Sequence, residues 1–419
     1  MSIKKKKHNK LTQFWKLLGP GLITGSSDDD PSGIATYTQA GARFGLTTLW
    51  VAIVSYPLMY VIQEMCARIG LVTNRGLAGV VKTHYPKWVL YILVIFSCPA
   101  IILNIAADIA GMGAVANLIA PTVPATFFSI GFTVLLLYFT IKLSYHRLAA
   151  IMKYLCIVLL VYLIVPFLIK QDVRHIIGST FIPHITFSRD YLLILVGILG
   201  TTISPYLFFW QASMEVEAFP KQQKHIMLDK FLLPLMKKDI QFGMFFSVLV
   251  MYFIMLTAGT VLNPAGVLNI NTVEDAAKAL KPIAGDSAYL LFAIGVIGIS
   301  FLAIPVLAGS LSYIIAETFG WKEGLNKKFH EAKEFYIVMI VATLLGLILQ
   351  LAGIDPVKAL LYTAVLYGIT APIIIAIILH ICNNKKIMDE YTNKPIVNII
   401  GIIAFLFMAI SAGLLLWFM

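Results

Sequence analysis

The chain has 419 residues, of which 59% are apolar and only 13% charged. Mean hydropathy is +0.86. A soluble domain carries roughly 25% charged residues, so these values exclude a large soluble domain. The formal charge of +11 calls for an acidic partner such as nucleic acid only if the charge is clustered on a folded module, and its distribution along the chain argues otherwise.

The first ten residues, MSIKKKKHNK, are basic, with no short apolar core and small-residue cleavage site behind them. We expect a cytoplasmic tail over 1–13 and not a secretory signal. Crossing a bilayer takes about 20 apolar residues. Such runs fall at 14–43, 46–68, 88–112, 124–141, 148–169, 190–218, 239–262, 287–317, 335–352, 356–382 and 396–418. With the N-terminus inside, the cytoplasmic segments hold 25 of the 32 Lys and Arg residues and the outer segments hold 7. That asymmetry is the positive-inside signature. It predicts eleven membrane helices, a cytoplasmic N-terminus and an extracellular C-terminus. It assigns the basic charge to the cytoplasmic membrane surface, so a lipid bilayer and not a nucleic acid is the expected partner. The short loops and the absence of a targeting segment fit a bacterial plasma membrane, and nothing calls for a second subunit, so a monomer is expected. In the long outer loop 263–286, Ala276–Leu280 reads as a short surface helix.

The first run, GPGLITGSSDDDPSGIATYTQAG, is apolar at both ends and polar in the middle. Pro31 removes a backbone donor and clashes with the preceding turn. A carboxylate at the bilayer centre costs about 2.5–3.5 kcal/mol on insertion scales, and Asp28, Asp29 and Asp30 are consecutive. A different arrangement fits the same residues: a helix starting at Pro31 with Asp30 as its cap, and a surface anchor before it. The sixth run, VGILGTTISPYLFFWQASMEVEA, has Thr201, Thr202, Ser204 and Pro205 in its middle. Broken helices in matching positions of two halves point to a transporter of inverted repeats, runs 1–5 and 6–10, with run 11 appended. On that division, 14–382 is the core. Freed carbonyls and carboxylates at the two breaks make a cation site, because hard cations take oxygen ligands.

On these motifs the sequence resembles the NRAMP family of divalent metal transporters. The resemblance rests on the entry GPGLITG, the Asp-Pro element, the sixth-run break and the stretch FLAIPVLAGSLSYIIAETFGW. It implies an all-α, LeuT-like fold working by alternating access. Family members carry Asp-Pro-Gly-Asn in the first helix. Here the run is Asp30, Pro31, Ser32, Gly33, which keeps the metal-binding aspartate and puts Gly33 at the asparagine position. The family's Met-Pro-His-Asn becomes Ser204, Pro205, Tyr206, Leu207, and the carbonyl-donating alanine before it falls on Thr201. The acidic position of the third run is kept at Asp108, and the glutamate expected three residues later is Gly111. These departures resemble those of the NRAMP-related magnesium transporter branch, whose members work without coupled protons.

Each loss has a physical counterpart. Thioether sulfur is a soft ligand suited to transition metals. Mg2+ dehydrates reluctantly and is held through one or two carboxylates with several waters. A wide, oxygen-only site therefore fits partly hydrated Mg2+, with Mn2+ as the competitor ion. The expected metal site is Asp30, Asp29, Gly33, Thr201, Thr202 and Ser204. Asn104 and Asp108 share one helix face at i and i+4 and, with Tyr206, are expected along the pathway. Asp28 is expected to be a solvated neighbour. The hydroxyls have an alternative role in satisfying unwound backbone, and Asn104 and Asp108 have one as an interhelical hydrogen bond. Glu64, Glu215 and Glu217 read as solvated edges, and Trp210, Trp321 and Trp417 as interfacial anchors. His146, His175 and His184 lack zinc spacing, and Cys66, Cys98, Cys156 and Cys382 lack CxxC spacing. No cofactor is expected. Three alternatives stay open: a proton-coupled Mn2+/Fe2+ carrier, a sodium-coupled organic solute symporter, and a polytopic membrane enzyme built on Asp30 and Asp108.

Overall fold

The computed structural model describes residues 19–143, 147, 151, 172–218, 231–270, 272–354 and 356–418. The expected tail 1–13 and, apart from residue 151, the expected span 148–169 lie outside the described residues. Nine helices among the described residues are long and apolar enough to cross a membrane. Each half of the expected first span, 9 and 14 residues long, is shorter than these.

That span is two helices, α1 (Pro20–Asp28) and α2 (Pro31–Phe44). The residue before a proline is pushed out of the helical region, and Asp30 is accordingly extended, at φ −64° and ψ 172°. All nine residues of α1 are buried, which overturns the alternative of a surface anchor. Its N-terminus is satisfied from across the molecule. Both Asp239 carboxylate oxygens accept backbone N–H groups, from Gly19 and Gly21, each at 2.7 Å. A carboxylate there also complements the positive end of the helix dipole.

The chain continues through α3 (Trp50–Thr73), α4 (Leu77–His84), α5 (Lys87–Ile119), α6 (Ala125–Lys142) and α7 (Val173–Phe181). The second broken pair follows as α8 (Arg189–Thr202) and α9 (Pro205–Ala218). Next come α10 (Leu233–Thr257), α11 (Val273–Phe319), α12 (Lys333–Leu351), α13 (Pro356–Asn383) and α14 (Pro395–Phe418). The predicted surface helix at Ala276–Leu280 is instead the start of α11, which runs unbroken for 47 residues. A Thr272–Asp275 capping box fixes where it begins, and the helix propensity of the alanines carries it on into the span.

The two broken pairs lie together. Helix α1 packs on α10, α9 and α11, and α2 on α8 and α10. Helix α5 is the hub of the other side, against α11, α12 and α13, while α14 lies on α13. Glycine sets the closest approach: a Cβ on Gly25 would stand 2.2 Å from the Gly243 carbonyl, and one on Gly243 2.0 Å from the Gly21 carbonyl. Small residues that let backbones touch are how membrane helices pack without a hydrophobic driving force.

Several edge assignments change. Glu64 and Glu215 are buried. Glu64 pairs with Arg68 at 3.1 Å and with Lys237 at 3.5 Å, and Glu215 accepts from Gln211 at 2.9 Å. Buried charge needs such partners, and those of Glu64 include a residue from a distant helix. Glu217 is half-buried, receiving hydrogen bonds from Asn326 and Tyr313. Trp210 is fully buried against Tyr313, whereas Trp321 and Trp417 are exposed. His175 lies on α7, and His146 and Cys156 lie outside the described residues.

Candidate functional site

The two breaks face each other. At the first, Asp30 caps α2. Its Oδ1 accepts from the Gly33 amide at 2.8 Å and the Ser32 hydroxyl at 2.5 Å, while its Oδ2 accepts from Asn104 Nδ2 at 3.0 Å. The capping role foreseen for an Asp-Pro pair is therefore real, inside the protein and not on its surface. It does not exhaust the carboxylate, which has about four acceptor positions. Gly33 sits directly against the end of α1: a Cβ there would lie 3.2 Å from the Asp28 carbonyl and 3.3 Å from the Tyr37 ring.

At the second break the hydroxyls turn back to their own helix. Thr201 donates to the Gly197 and Ile198 carbonyls, Thr202 to the Ile198 carbonyl, and Ser204 to the Thr201 carbonyl at 2.9 Å. These groups repair an interrupted ladder. Two links join the breaks. Tyr37 and Thr202 share a hydrogen bond at 3.2 Å, and the Tyr206 phenol donates to the Ser27 carbonyl at 3.0 Å. Tyr206 thus satisfies a carbonyl freed at the end of α1, and its ring stacks on Tyr367.

Between them lies an enclosed cavity of about 50 Å³, lined by Ser32, Asn104, Thr201, Ser204, Thr363 and Tyr367 among others. A buried water needs roughly 10–15 Å³ on this measure, so the space is several times that of one water. Two of the lining residues, Ser32 and Asn104, hydrogen-bond to Asp30, which stands behind them and does not itself line the cavity. The polar side-chain atoms of the lining are oxygen and amide groups. Gly200 leaves it open, because a Cβ there would meet nothing within 4 Å. A thioether stands just behind: Met251 Sδ accepts from Thr202 Oγ1 at 3.4 Å.

Sequence reasoning missed two members. Asp28 is 1% exposed, not solvated. Ser247 of α10 donates to Asp28 Oδ2 at 3.4 Å. A run of three aspartates does not say which way each points, and a single serine in an apolar helix 219 residues away carries no signal. Asp108 is fully buried, and neither of its carboxylate oxygens has a hydrogen bond. Among the described residues, no three His, Cys, Asp or Glu side chains converge on one point.

Comparison with known proteins gives consistent matches over nearly the whole chain. The family described as "Natural resistance-associated macrophage protein-like" (Nramp) matches residues 21–418. The divalent metal cation transporter MntH of Caldanaerobacter subterraneus subsp. tengcongensis is 26% identical over 97% of this chain and 94% of that protein. The MntH of Yersinia enterocolitica is 24% identical over 92% and 90%. Among solved structures, the Eremococcus coleocola manganese transporter superposes with a TM-score of 0.79 at 16% identity, covering 97% of this chain and 87% of that one. Mhp1, a nucleobase-cation-symport-1 family transporter, gives 0.59 at 12% identity, covering 96% and 92%. These neighbours bear out the expected all-helical, LeuT-like fold class.

Proposed function

Since the chain belongs to the Nramp family, a family whose curated relatives are named divalent metal cation transporters, we propose that it is a multi-pass membrane carrier of divalent cations. The preferred substrate is partly hydrated Mg2+, moved by alternating access without coupled protons. The observation that carries this is the cavity beside Asp30, lined by hydroxyl, phenol and amide groups and larger than a bare ion. Mg2+ keeps several waters and takes one or two carboxylates, and both needs are met here. The proposed site is Asp30, Asp29, Gly33, Thr201, Thr202 and Ser204, of which Thr201 and Ser204 line the cavity. Ser204 leaves room that a longer ligand side chain would fill, whereas Gly33 is closed in by the Asp28 carbonyl and the Tyr37 ring. Asp108 and Asn104 line the approach along α5. Tyr206 occupies the position where the family pattern has a histidine, and its proton is committed to the Ser27 carbonyl, which supports movement of the ion without a titrating partner there.

A second reading has its own support. Met251 Sδ stands one hydroxyl from the site, and a structural neighbour is named a manganese transporter. On this reading the substrate is Mn2+ or Fe2+, with protons coupled. Competition separates the two. In liposomes containing the purified chain, excess Cd2+ should leave most Mg2+ uptake intact, because a soft ion gains little from oxygen ligands. Near-complete block by equimolar Cd2+ would give the site to the transition-metal reading.

A further inference from the structure

Helix α7 has no part in the metal site, and its faces are unlike. It leads into α8, which starts at Arg189, and packs on α3 and on the turn Gly45–Thr48 that joins α2 to α3. A segment between membrane spans lies at the boundary of the bilayer. One face of α7 is docked: Ile176 packs on the core, and Thr180 shares a hydrogen bond with Tyr252 of α10 at 2.9 Å. Another face is bare. Val173, Ile177 and Phe181, spaced at i, i+4 and i+8, are 63%, 55% and 69% exposed, and Ile182, Ile185 and Phe187 beyond them are exposed too. An apolar stripe of this kind at a membrane boundary lies among the lipids, about 5–10 Å into the interface.

Next to the stripe is an open crevice of about 400 Å³, lined by Thr47, Asp172, Arg174, Ser179, Ile182 and His184 among others. Ligand pockets span roughly 300–1,000 Å³. The crevice is braced from beneath. The buried Tyr191 sets its hydroxyl 2.6 Å from the His184 carbonyl and 3.1 Å from the Thr47 carbonyl, and accepts from Trp50 Nε1 at 3.3 Å. Two opposite charges line it without meeting. The Arg174 and His175 amides both donate to Asp172 Oδ1, at 3.1 and 3.2 Å, which leaves Oδ2 to a ligand. Among the described residues, neither Asp172 nor Arg174 takes part in an ion pair. A carboxylate and a guanidinium held apart in one crevice match a zwitterion. The guanidinium fork suits two phosphate oxygens, and a carboxylate oxygen suits an ammonium that can donate. Asp172 disfavours a purely anionic headgroup. Ile182 belongs to the crevice and to the exposed apolar surface alike, so one molecule with a charged head and apolar chains can occupy both.

We infer that α7 and the chain after it form a docking site for a phospholipid with a primary-ammonium headgroup, of the phosphatidylethanolamine class. The phosphate diester sits on Arg174, the ammonium on Asp172 Oδ2, and the acyl chains run along Val173, Ile177 and Phe181. A choline headgroup fills the same space but has no N–H to donate. The bound lipid also touches the turn at Thr47, which leads directly back into α2. Lipid at this site therefore braces the helix that Asp30 caps.

The test is native mass spectrometry of the purified full-length chain in detergent, with phosphatidylethanolamine, phosphatidylcholine and phosphatidylglycerol of matched chains in competition. Wild type should retain phosphatidylethanolamine over phosphatidylcholine by roughly tenfold, the scale of one charge-assisted hydrogen bond. Asp172→Asn should lose that preference. Asparagine caps a helix as well as aspartate does, so the fold is kept, and an unchanged Tm in phosphatidylcholine checks this. Arg174→Gln should retain less of all three lipids, and Ile177→Ser should lower retention without changing the headgroup preference. Equal retention of the ethanolamine and choline lipids by wild type, or a preference for phosphatidylglycerol, would overturn the site. So would a preference that survives Asp172→Asn. Soluble phosphoethanolamine should displace nothing at comparable concentration. If it displaces the lipid, the crevice is a site for a free phosphate compound and the lipid assignment falls.

Discussion

The breaks in α1–α2 and α8–α9 look alike in the sequence, each a proline with polar neighbours in an apolar run, and they solve opposite problems. At the second, the hydroxyls of Thr201, Thr202 and Ser204 return to carbonyls of their own helix, so the interruption is nearly self-satisfied. At the first, the backbone is served by Asp30 and by Tyr206 from the other break, while Asp28 and Asp29 keep oxygens without hydrogen-bond partners. One break is a wall and the other is an attractor. Polarity inside a membrane helix therefore does not identify a ligand by itself. What identifies it is whether the polar atoms find partners within the protein.

The comparison can be broken at its packing first. The first break is clamped by the glycine contact between α1 and α10, so Gly243→Val, with a Cβ 2.0 Å from the Gly21 carbonyl, should abolish folding. The check is loss of monodisperse protein in detergent. At the second break, Gly200→Ala meets open space. It should leave thermal stability unchanged and lower Mg2+ uptake a few-fold by narrowing the cavity. Equal losses of folding in both variants would dissolve the distinction.

The electrostatic side has a middle-sized effect. Asn104→Ala removes the Oδ2 partner of Asp30. A hydrogen bond to a charged group contributes about 1.5–3 kcal/mol, so the apparent affinity for Mg2+ should weaken roughly tenfold or more, read from uptake against concentration. Thr201→Val at the self-satisfied break removes a neutral hydrogen bond worth about 0.5–1.5 kcal/mol and should change affinity less than Asn104→Ala. The reverse ranking would make Thr201 a ligand and not a repair.

The smallest effect lies outside the spans. Burial, reinforced by the charges of Glu317 and Glu217, pushes the Glu323 carboxyl up to about 9. A carboxyl with a raised folded pKa binds its proton more tightly folded than unfolded. Stability is then greatest below its ordinary value near 4.5 and declines as pH rises towards 9. Wild-type Tm should fall between pH 6 and 9, and Glu323→Gln should flatten that fall.

Much of this was legible in the sequence, and the reasons differ by residue. Pro31 and Pro205 announce the breaks because proline cannot continue a helix, and the long apolar runs announce the spans because crossing a bilayer takes about 20 apolar residues. The cap at Asp30 follows from local chemistry alone. Asp28 and Ser247 were not legible, because their role depends on α1 and α10 meeting face to face. Glu64 and Glu215 were misread for a related reason. A charge near a span end looks solvated until Arg68 and Lys237, or Gln211, are placed beside it. Trp210 fails as an anchor because Gly309 and Tyr313 make room for it indoors. The continuity of α11 was hidden by treating Ala276–Leu280 as a separate piece.

The central claim is that Asp30 and its oxygen-lined cavity carry Mg2+ without protons. Purified chain in liposomes holding a Mg2+-sensitive dye and a pH indicator tests it in one experiment, with Asp30→Ala beside wild type. Saturable Mg2+ entry with constant internal pH, abolished in Asp30→Ala, is the predicted result. Entry of Mn2+ with acidification and none of Mg2+, or Mg2+ entry undiminished in Asp30→Ala, would contradict it.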